Sequence, residues 1–229
     1  MDQGAQKPAA LYPDIQAGES ALGGIKLAYS GAGIEVTGIK AAVDETTYTP
    51  LVAQAQQADA DVLFILQPAQ VLVTVFEDMG RLGYDPMVAL PYTCFHDDFL
   101  EMVGSAGDGA VCAVPFDLED EALSELVEIM DEYGPDDWKL TYVAGNSYLA
   151  AKALIQALES IEGEITRPAI LEAMRTLVFE HPMLPGPVDF ASATGHAIMK
   201  AAKMGLYYIY ELDDGELVKA SPDPVDTLG

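Results

Sequence analysis

Thr47-Tyr-Thr-Pro-Leu-Val-Ala-Gln-Ala-Gln-Gln-Ala-Asp-Ala-Asp-Val-Leu-Phe-Ile-Leu66 carries the clearest structural signal in the chain. Pro50 opens a short helix, where its missing N–H has no intrahelical partner to lose. An Ala/Asp-rich turn then feeds the apolar run Val62–Leu66. Such a run bounded by turn signals fits a strand buried on both faces, as in a parallel sheet. Gln67-Pro-Ala-Gln70 opens the next helix, so a loop and a helix N-terminus follow directly on the carboxyl end of that strand. Open α/β sheets bind small molecules at such ends.

The first half of the chain alternates strand and helix. Strands are expected at Lys7–Tyr12, Ile34–Ile39, Met87–Leu90 and Ala110–Val114 besides Val62–Leu66. Helices are expected from Glu19 to Ser30 with left-handed caps at Gly31 and Gly33, after Pro50, from Ala69 to Leu82, and from Asp97 to Val103. In the third of these, Leu72, Val75, Phe76, Met79 and Leu82 form one apolar stripe. Repeated β-α units of this length require a parallel sheet with right-handed crossovers. After Pro115 the pattern changes to three successive helices, Glu121–Tyr133, Asn146–Ser160 and one capped by Thr166 with Ile170, Leu171, Met174 and Leu177 at helical spacing. No strand separates them, so their apolar stripes are expected to stand exposed, as an interaction site or an aggregation hazard. Two strands, Met204–Leu212 and Leu217–Ala220, close the chain through a hairpin at Asp213-Asp214-Gly215.

Composition narrows the function. Half of the 229 residues are apolar, enough for a real core, and the net charge is −26. That charge disfavours nucleic acid and anionic membrane surfaces, both of which need basic patches. No apolar run approaches the roughly 20 residues that span a bilayer. Met1–Lys7 has no apolar core and is not a secretory signal, so the expectation is a removed signal or a piece of a longer protein. Cys94 and Cys112 fit a disulfide or two buried thiols equally well.

Four local patterns, in this order and spacing, resemble the later part of a type I periplasmic solute-binding protein of the branched-chain amino-acid transporter class. They are Leu11-Tyr-Pro-Asp14 with Gly18-Glu19; Thr47-Tyr-Thr-Pro50 with Asp61-Val-Leu-Phe64 and Gly80-Arg-Leu-Gly83; Tyr133-Gly134 with Tyr148 and the alanine-rich helix to Glu159; and Gly186-Pro-Val-Asp-Phe190 with Gly195-His196 and the Asp214-Gly215 hairpin. The resemblance implies an α/β type I periplasmic-binding-protein fold: two lobes about a hinge, three chain crossings, and a ligand trapped in the cleft. It implies one complete parallel-sheet lobe, residues 1–115 with 204–229 (the family's second lobe). Residues 116–203 are then the helical portion of the other lobe, whose N-terminal sheet segment is not in this sequence.

The family's second lobe touches ligand from loops that correspond here to Ile15-Gln16-Ala17, Gln67-Pro68-Ala69 and Pro91-Tyr92-Thr93. The implied ligand set is Gln16, Ala17, Gln67, Pro68, Ala69, Tyr92 and Thr93. Ala17 replaces the family's stacking tyrosine, Pro68 and Ala69 replace an aromatic, and Tyr92 stands where an acid receives an α-ammonium group. A buried ammonium without a carboxylate is costly, so a simple amino acid fits this set less well than a carboxylate or amide. No cofactor or metal is implied. The implied partners are a small solute and an ABC-transporter permease, with self-association through the exposed helices of 116–203. The implied location is periplasmic or extracellular, lipid-anchored in a longer protein.

Other readings compete. A cytoplasmic or receptor-type ligand sensor uses the same fold, which alone does not separate the two. Ser20 on a strand-to-helix turn, with Asp189 and His196 following in hydrolase order, faintly suggests a nucleophile elbow, but Leu22 stands where that motif needs glycine. His96, Asp97 and Asp98 suit an acidic helix start better than a metal site. His181 and His196 are isolated, no zinc-type Cys/His spacing occurs, and neither a phosphate loop nor a GxGxxG turn is present.

Overall fold

The computed structural model of the chain describes residues 5–191 and 206–226. The Gly195-His196 pair and the first two residues of the expected Met204–Leu212 strand lie outside them. The chain divides into two compact units: unit 1 comprises Met1–Ala113 and Tyr210–Val218, and unit 2 comprises Val114–Ile209 and Lys219–Gly229.

Unit 1 is built on a sheet whose strands are β1 (Pro8–Pro13), β2 (Thr37–Ala41), β3 (Val62–Ile65), β4 (Met87–Leu90) and β5 (Val111–Val114), with the later part of β8 (Leu206–Asp213) beside β5. The order is β2-β1-β3-β4-β5-β8, and β1 to β5 run parallel. The apolar run behaves as its composition requires. Leu63 and Ile65 are fully enclosed, as are Ala9, Ala10 and Leu11 beside them, and Leu11 is in register with Ile65. Full burial of each large aliphatic side chain contributes about 1.5–3 kcal/mol. Helices α1 (Gln16–Ser30), α2 (Thr49–Gln57), α3 (Ala69–Leu82) and α4 (Asp97–Val103) are the crossovers and connections. Leu72, Val75, Phe76 and Met79 of α3 are buried, as the stripe predicted. Asp78 is also buried, its Oδ1 accepting from Arg81 Nη1 at 2.7 Å, so this charge is paired rather than stranded.

Two boundaries of unit 1 differ from the expectation by three residues, the others by two or fewer. Helix α1 starts at Gln16 instead of Glu19, because Ile15 N–H donates to the Pro13 carbonyl and Glu19 N–H to the Ile15 carbonyl, closing the first turn early. Strand β2 starts at Thr37 instead of Ile34, since Ile34 N–H still donates to Tyr29 at the end of α1. Gly31 is right-handed and only Gly33 of that pair is left-handed, with φ 69°.

Unit 2 holds α5 (Leu123–Tyr133), α6 (Tyr142–Glu159) and α7 (Arg167–Thr176), a two-stranded antiparallel pair β6 (Val178–Phe179) and β7 (Val188–Asp189), the start of β8, and β10 (Val225–Asp226) antiparallel to it. The sequence reading missed β6, β7 and β10, each two residues long and too short to show a period. It also started α6 four residues late: Thr141 is the cap, its Oγ1 accepting from Ala144 N–H at 3.2 Å. Thr166 caps α7 as expected, accepting from Ala169 N–H. Leu171 is 51% exposed, and no residue of α7 is fully buried. The hairpin after β8 leads into β9 (Glu216–Lys219), with φ of 49° at Asp214 and 79° at Gly215. Two successive positive φ values are the signature of the tight turn that matches strand twist.

One polar knot organises unit 2. Glu125 on α5 accepts from Tyr148 Oη at 2.7 Å and from Lys152 Nζ at 2.9 Å, both on α6, while His181 meets the Tyr148 ring edge-on at 5.5 Å. The Lys152 hydrogen bond, then that of Tyr148, holds the Glu125 carboxyl below its ordinary value. Burial, then Lys152, pushes His181 below its ordinary value. The unfolded chain therefore binds a proton at His181 more readily than the folded one. That contribution to stability is present above the unfolded pKa of about 6.5 and is lost as pH falls below it. Denaturation of the wild type across pH 5–8 is expected to show stability rising with pH below about 6.5. His181→Asn should flatten that segment, and superimposable profiles for the two proteins would contradict the assignment.

Candidate ligand-binding rim of unit 1

Parallel pairing sends the chain out of β1, β3 and β4 at the same edge of the sheet. These strands are neighbours in the order β1-β3-β4. At about 4.8 Å per strand, their loops span about 10 Å, the width of a small organic solute. Gln16, Ala17, Gln67, Pro68, Ala69, Tyr92 and Thr93 all lie in unit 1 on this edge.

The three loops are built differently. After β1 the turn is tight, and Gly18 makes it possible: a Cβ there would sit 2.2 Å from the Pro13 carbonyl oxygen. Gln16 and Ala17 form the exposed start of α1. After β3, Gln67 is only 4% exposed, and its Nε2 is enclosed with no hydrogen-bond acceptor among the described residues. Pro68 is exposed and N-caps α3, and Ala69 is half-buried. After β4, Pro91 leads into a single 3₁₀ turn, Tyr92–Cys94, which leaves Tyr92 49% exposed. Neither α1 nor α3 has a side-chain cap, whereas α6 and α7 are capped by threonines. The cap residues Ile15 and Pro68 have no side-chain acceptor to offer the first amides of α1 and α3, and helix N-termini favour negative or acceptor groups.

The sequence reading missed an ion-pair cluster on the same edge. Lys40, near the end of β2, donates to Glu19 at 2.6 Å and lies 3.1 Å from Asp14. Glu19 first, then Asp14, raise the lysine above its ordinary value. The cluster ties the β1–α1 turn to β2. Its sequence signal was slight: a lysine in the last two residues of a strand, and acids at a loop and in a first helical turn.

The competing readings fare differently. Ser20 lies within α1, past its first turn, so no nucleophile elbow exists at this position. Asp189 belongs to β7 of unit 2, where its Oδ1 accepts from Ala191 N–H, and His196 lies outside the described residues. His96 N-caps α4, its Nδ1 4.0 Å from Asp98, and no group of three potential metal ligands is found among the described residues. Among those residues no helix is long and apolar enough to cross a membrane. Unit 2 carries an apolar pocket of about 300 Å³, lined by Leu149, Ala153, Phe179, Leu184, Phe190 and Tyr207 among others.

A family model for periplasmic binding proteins matches residues 1–216, and the chain belongs to that family. This is a family of solute binders, not of enzymes. Three similar solved structures share the fold. A leucine-binding protein from Thermotoga maritima is 16% identical, with 96% of this chain and 61% of that one covered at a TM-score of 0.73. A fatty acid ABC transporter substrate-binding protein from Thermomonospora curvata is 20% identical, with 99% and 60% covered at 0.80. A solute-binding protein of an ABC transporter from Rhodopseudomonas palustris, solved with 3,4-dihydroxybenzoic acid, is 21% identical, with 99% and 62% covered at 0.73. The chain therefore spans about three fifths of the length of the structures it matches. No curated protein matches it.

Gln67 separates a binding residue from a packing residue. A buried amide nitrogen without a partner costs about 1–3 kcal/mol, and an apolar replacement of similar shape removes that cost. Gln67→Leu is expected to leave the unfolding free energy of the solute-free protein unchanged or higher by about 1 kcal/mol. A loss above about 2 kcal/mol in chemical denaturation would show that the amide is structurally paired.

Proposed function

We propose that the chain is the larger part of an extracytoplasmic solute-binding protein that captures a small organic solute for uptake through an ABC-transporter permease. The observation that carries this reading is the delivery of Gln16-Ala17, Gln67-Pro68-Ala69 and Tyr92-Thr93 to one sheet edge by three neighbouring parallel strands. Residues 1–115 with 204–229 act as the ligand-binding second lobe, and 116–203 supply the helical portion of the first. A solute that touches both lobes binds the closed state more tightly than the open one, so capture needs no chemistry on the ligand.

The seven rim residues carry no charge. Gln16 and Gln67 offer amide hydrogen bonds, the helix starts offer backbone N–H groups, and Tyr92 offers a ring face. This set suits a carboxylate or amide oxygen attached to an apolar body. A free amino acid is served less well, since none of the seven is an acid to pair its ammonium. In the longer protein a lipid anchor holds the binder near its permease. Val143, Leu154 and Ile155 on α6 leave an apolar surface through which the chain self-associates.

A thermal-shift screen of leucine, benzoate, 3,4-dihydroxybenzoate, aliphatic carboxylates and their amides tests the reading. A solute at one hundred times its Kd stabilises its protein by about 2.7 kcal/mol, a rise of roughly 5–10 °C for a domain of this size. Carboxylates or amides are expected to give that rise in the wild type and to lose most of it in Tyr92→Ala. A rise that persists unchanged in Tyr92→Ala, or one confined to free amino acids, would overturn the proposed rim.

A further inference from the structure

Tyr92 is pinned from both sides, and by one residue. On its N-terminal side, Leu90 of β4 is in ladder register with Cys112 of β5. On its C-terminal side, Cys94 is joined to that same Cys112 by a disulfide, with 6.3 Å between the Cα atoms. The five residues Leu90–Cys94 thus form an arch with both feet on Cys112, and Tyr92 is at its crown. Inside the arch, Cys94 N–H donates to the Pro91 carbonyl at 3.1 Å, and just beyond it Phe95 N–H donates to Tyr92 at 3.0 Å. Both cysteines are fully buried, while the crown residue is half exposed. The covalent foot is out of solvent and the presented side chain is in it.

We propose that the Cys94–Cys112 bond is a positioning crosslink for the binding rim: it fixes the height and direction of Tyr92, so that solute affinity depends on whether this pair is oxidised. The inference rests on the rim described under the proposed function. With the bond intact, the arch is a closed ring and Tyr92 reaches the solute already ordered. A loop held in its bound conformation loses less freedom on binding. With two free thiols, the covalent foot of the arch is lost, and the turn keeps its two 3₁₀-type hydrogen bonds. The ladder pair at Leu90 then constrains one foot alone. Cys94 and Cys112 touch no solute in this account; they act through Tyr92.

The test uses the wild type and a Cys94→Ala/Cys112→Val double variant, chosen to keep the buried volume filled. Hydrogen exchange of the Cys94-position and Phe95 amides is read against the β3 amides Leu63 and Ile65 as an internal reference. The expected result is exchange at least tenfold faster at positions 94 and 95 in the variant, with the β3 amides within twofold. Exchange at 94 and 95 within twofold of the wild type would overturn the inference. So would mass spectrometry of the unreduced wild type showing two free thiols. If the variant destabilises the whole sheet, wild type treated with a phosphine reductant gives the same local comparison. The second readout is affinity for 3,4-dihydroxybenzoate, benzoate or leucine, whichever the wild type binds. A tenfold or greater loss in the variant at unchanged β3 protection is expected. Unchanged affinity would overturn the positioning role, whereas a wild type that binds none of the three while its 94–95 amides respond would count against the rim and leave the arch standing.

Discussion

The pairing of β1 with β3 governs what unit 1 can do. Ala9, Ala10 and Leu11 lie beside Leu63 and Ile65 with almost no exposure, so both faces of this central pair must be covered. Parallel strands cannot be joined by a hairpin; each connection has to cross a face of the sheet, and a helix is the ordinary means. The apolar character of five consecutive residues therefore brings every strand exit to one edge. The two helices that begin nearest β1 and β3 point their first amides at that edge. The rim is a consequence of burying the strand pair, not a separate feature added to it.

Much of this was legible in the chain because the signals are local and physical. The apolar run from Val62, the stripe of α3, the glycine after it and the Asp214-Gly215 turn each state their structure within a few residues. The misplaced boundaries have a common cause. The start of α1 is set by hydrogen bonds at Pro13 and Ile15, and the start of β2 is delayed by a bond back to Tyr29, neither of which alters the apolar pattern. Thr141 was a visible cap signal, but Tyr142 to Gly145 lack the apolar spacing that would have drawn attention to it. Leu171 falls at helical spacing and stands half exposed, in keeping with the uncovered stripe that the run of three helices implied.

The rim was less legible than the sheet. Its seven positions came from family resemblance, and the sequence could not show that Gln67 is enclosed or that Lys40 draws in Asp14 and Glu19 from two other segments. Those contacts join residues 21 to 26 positions apart. The same holds for the cysteines, whose pairing is invisible in a spacing of 18 and decided by the register of β4 on β5. Unit 2 illustrates the limit of composition from another side. Its acidic surface hides an ordered core of Leu149, Ala153, Phe179 and Met183, with Glu125, Lys152 and Tyr148 forming a paired knot above it.

The proposed solute site lies where β1, β3 and β4 end. Backbone amide chemical-shift mapping of the labelled chain during titration with the best solute from a stability screen measures this most directly. The largest changes are expected at residues 15–18, 67–70 and 91–95, with the middle of β1 and β3 little affected. Changes concentrated on α6 and the β6–β7 pair instead, with those three loops silent, would contradict it.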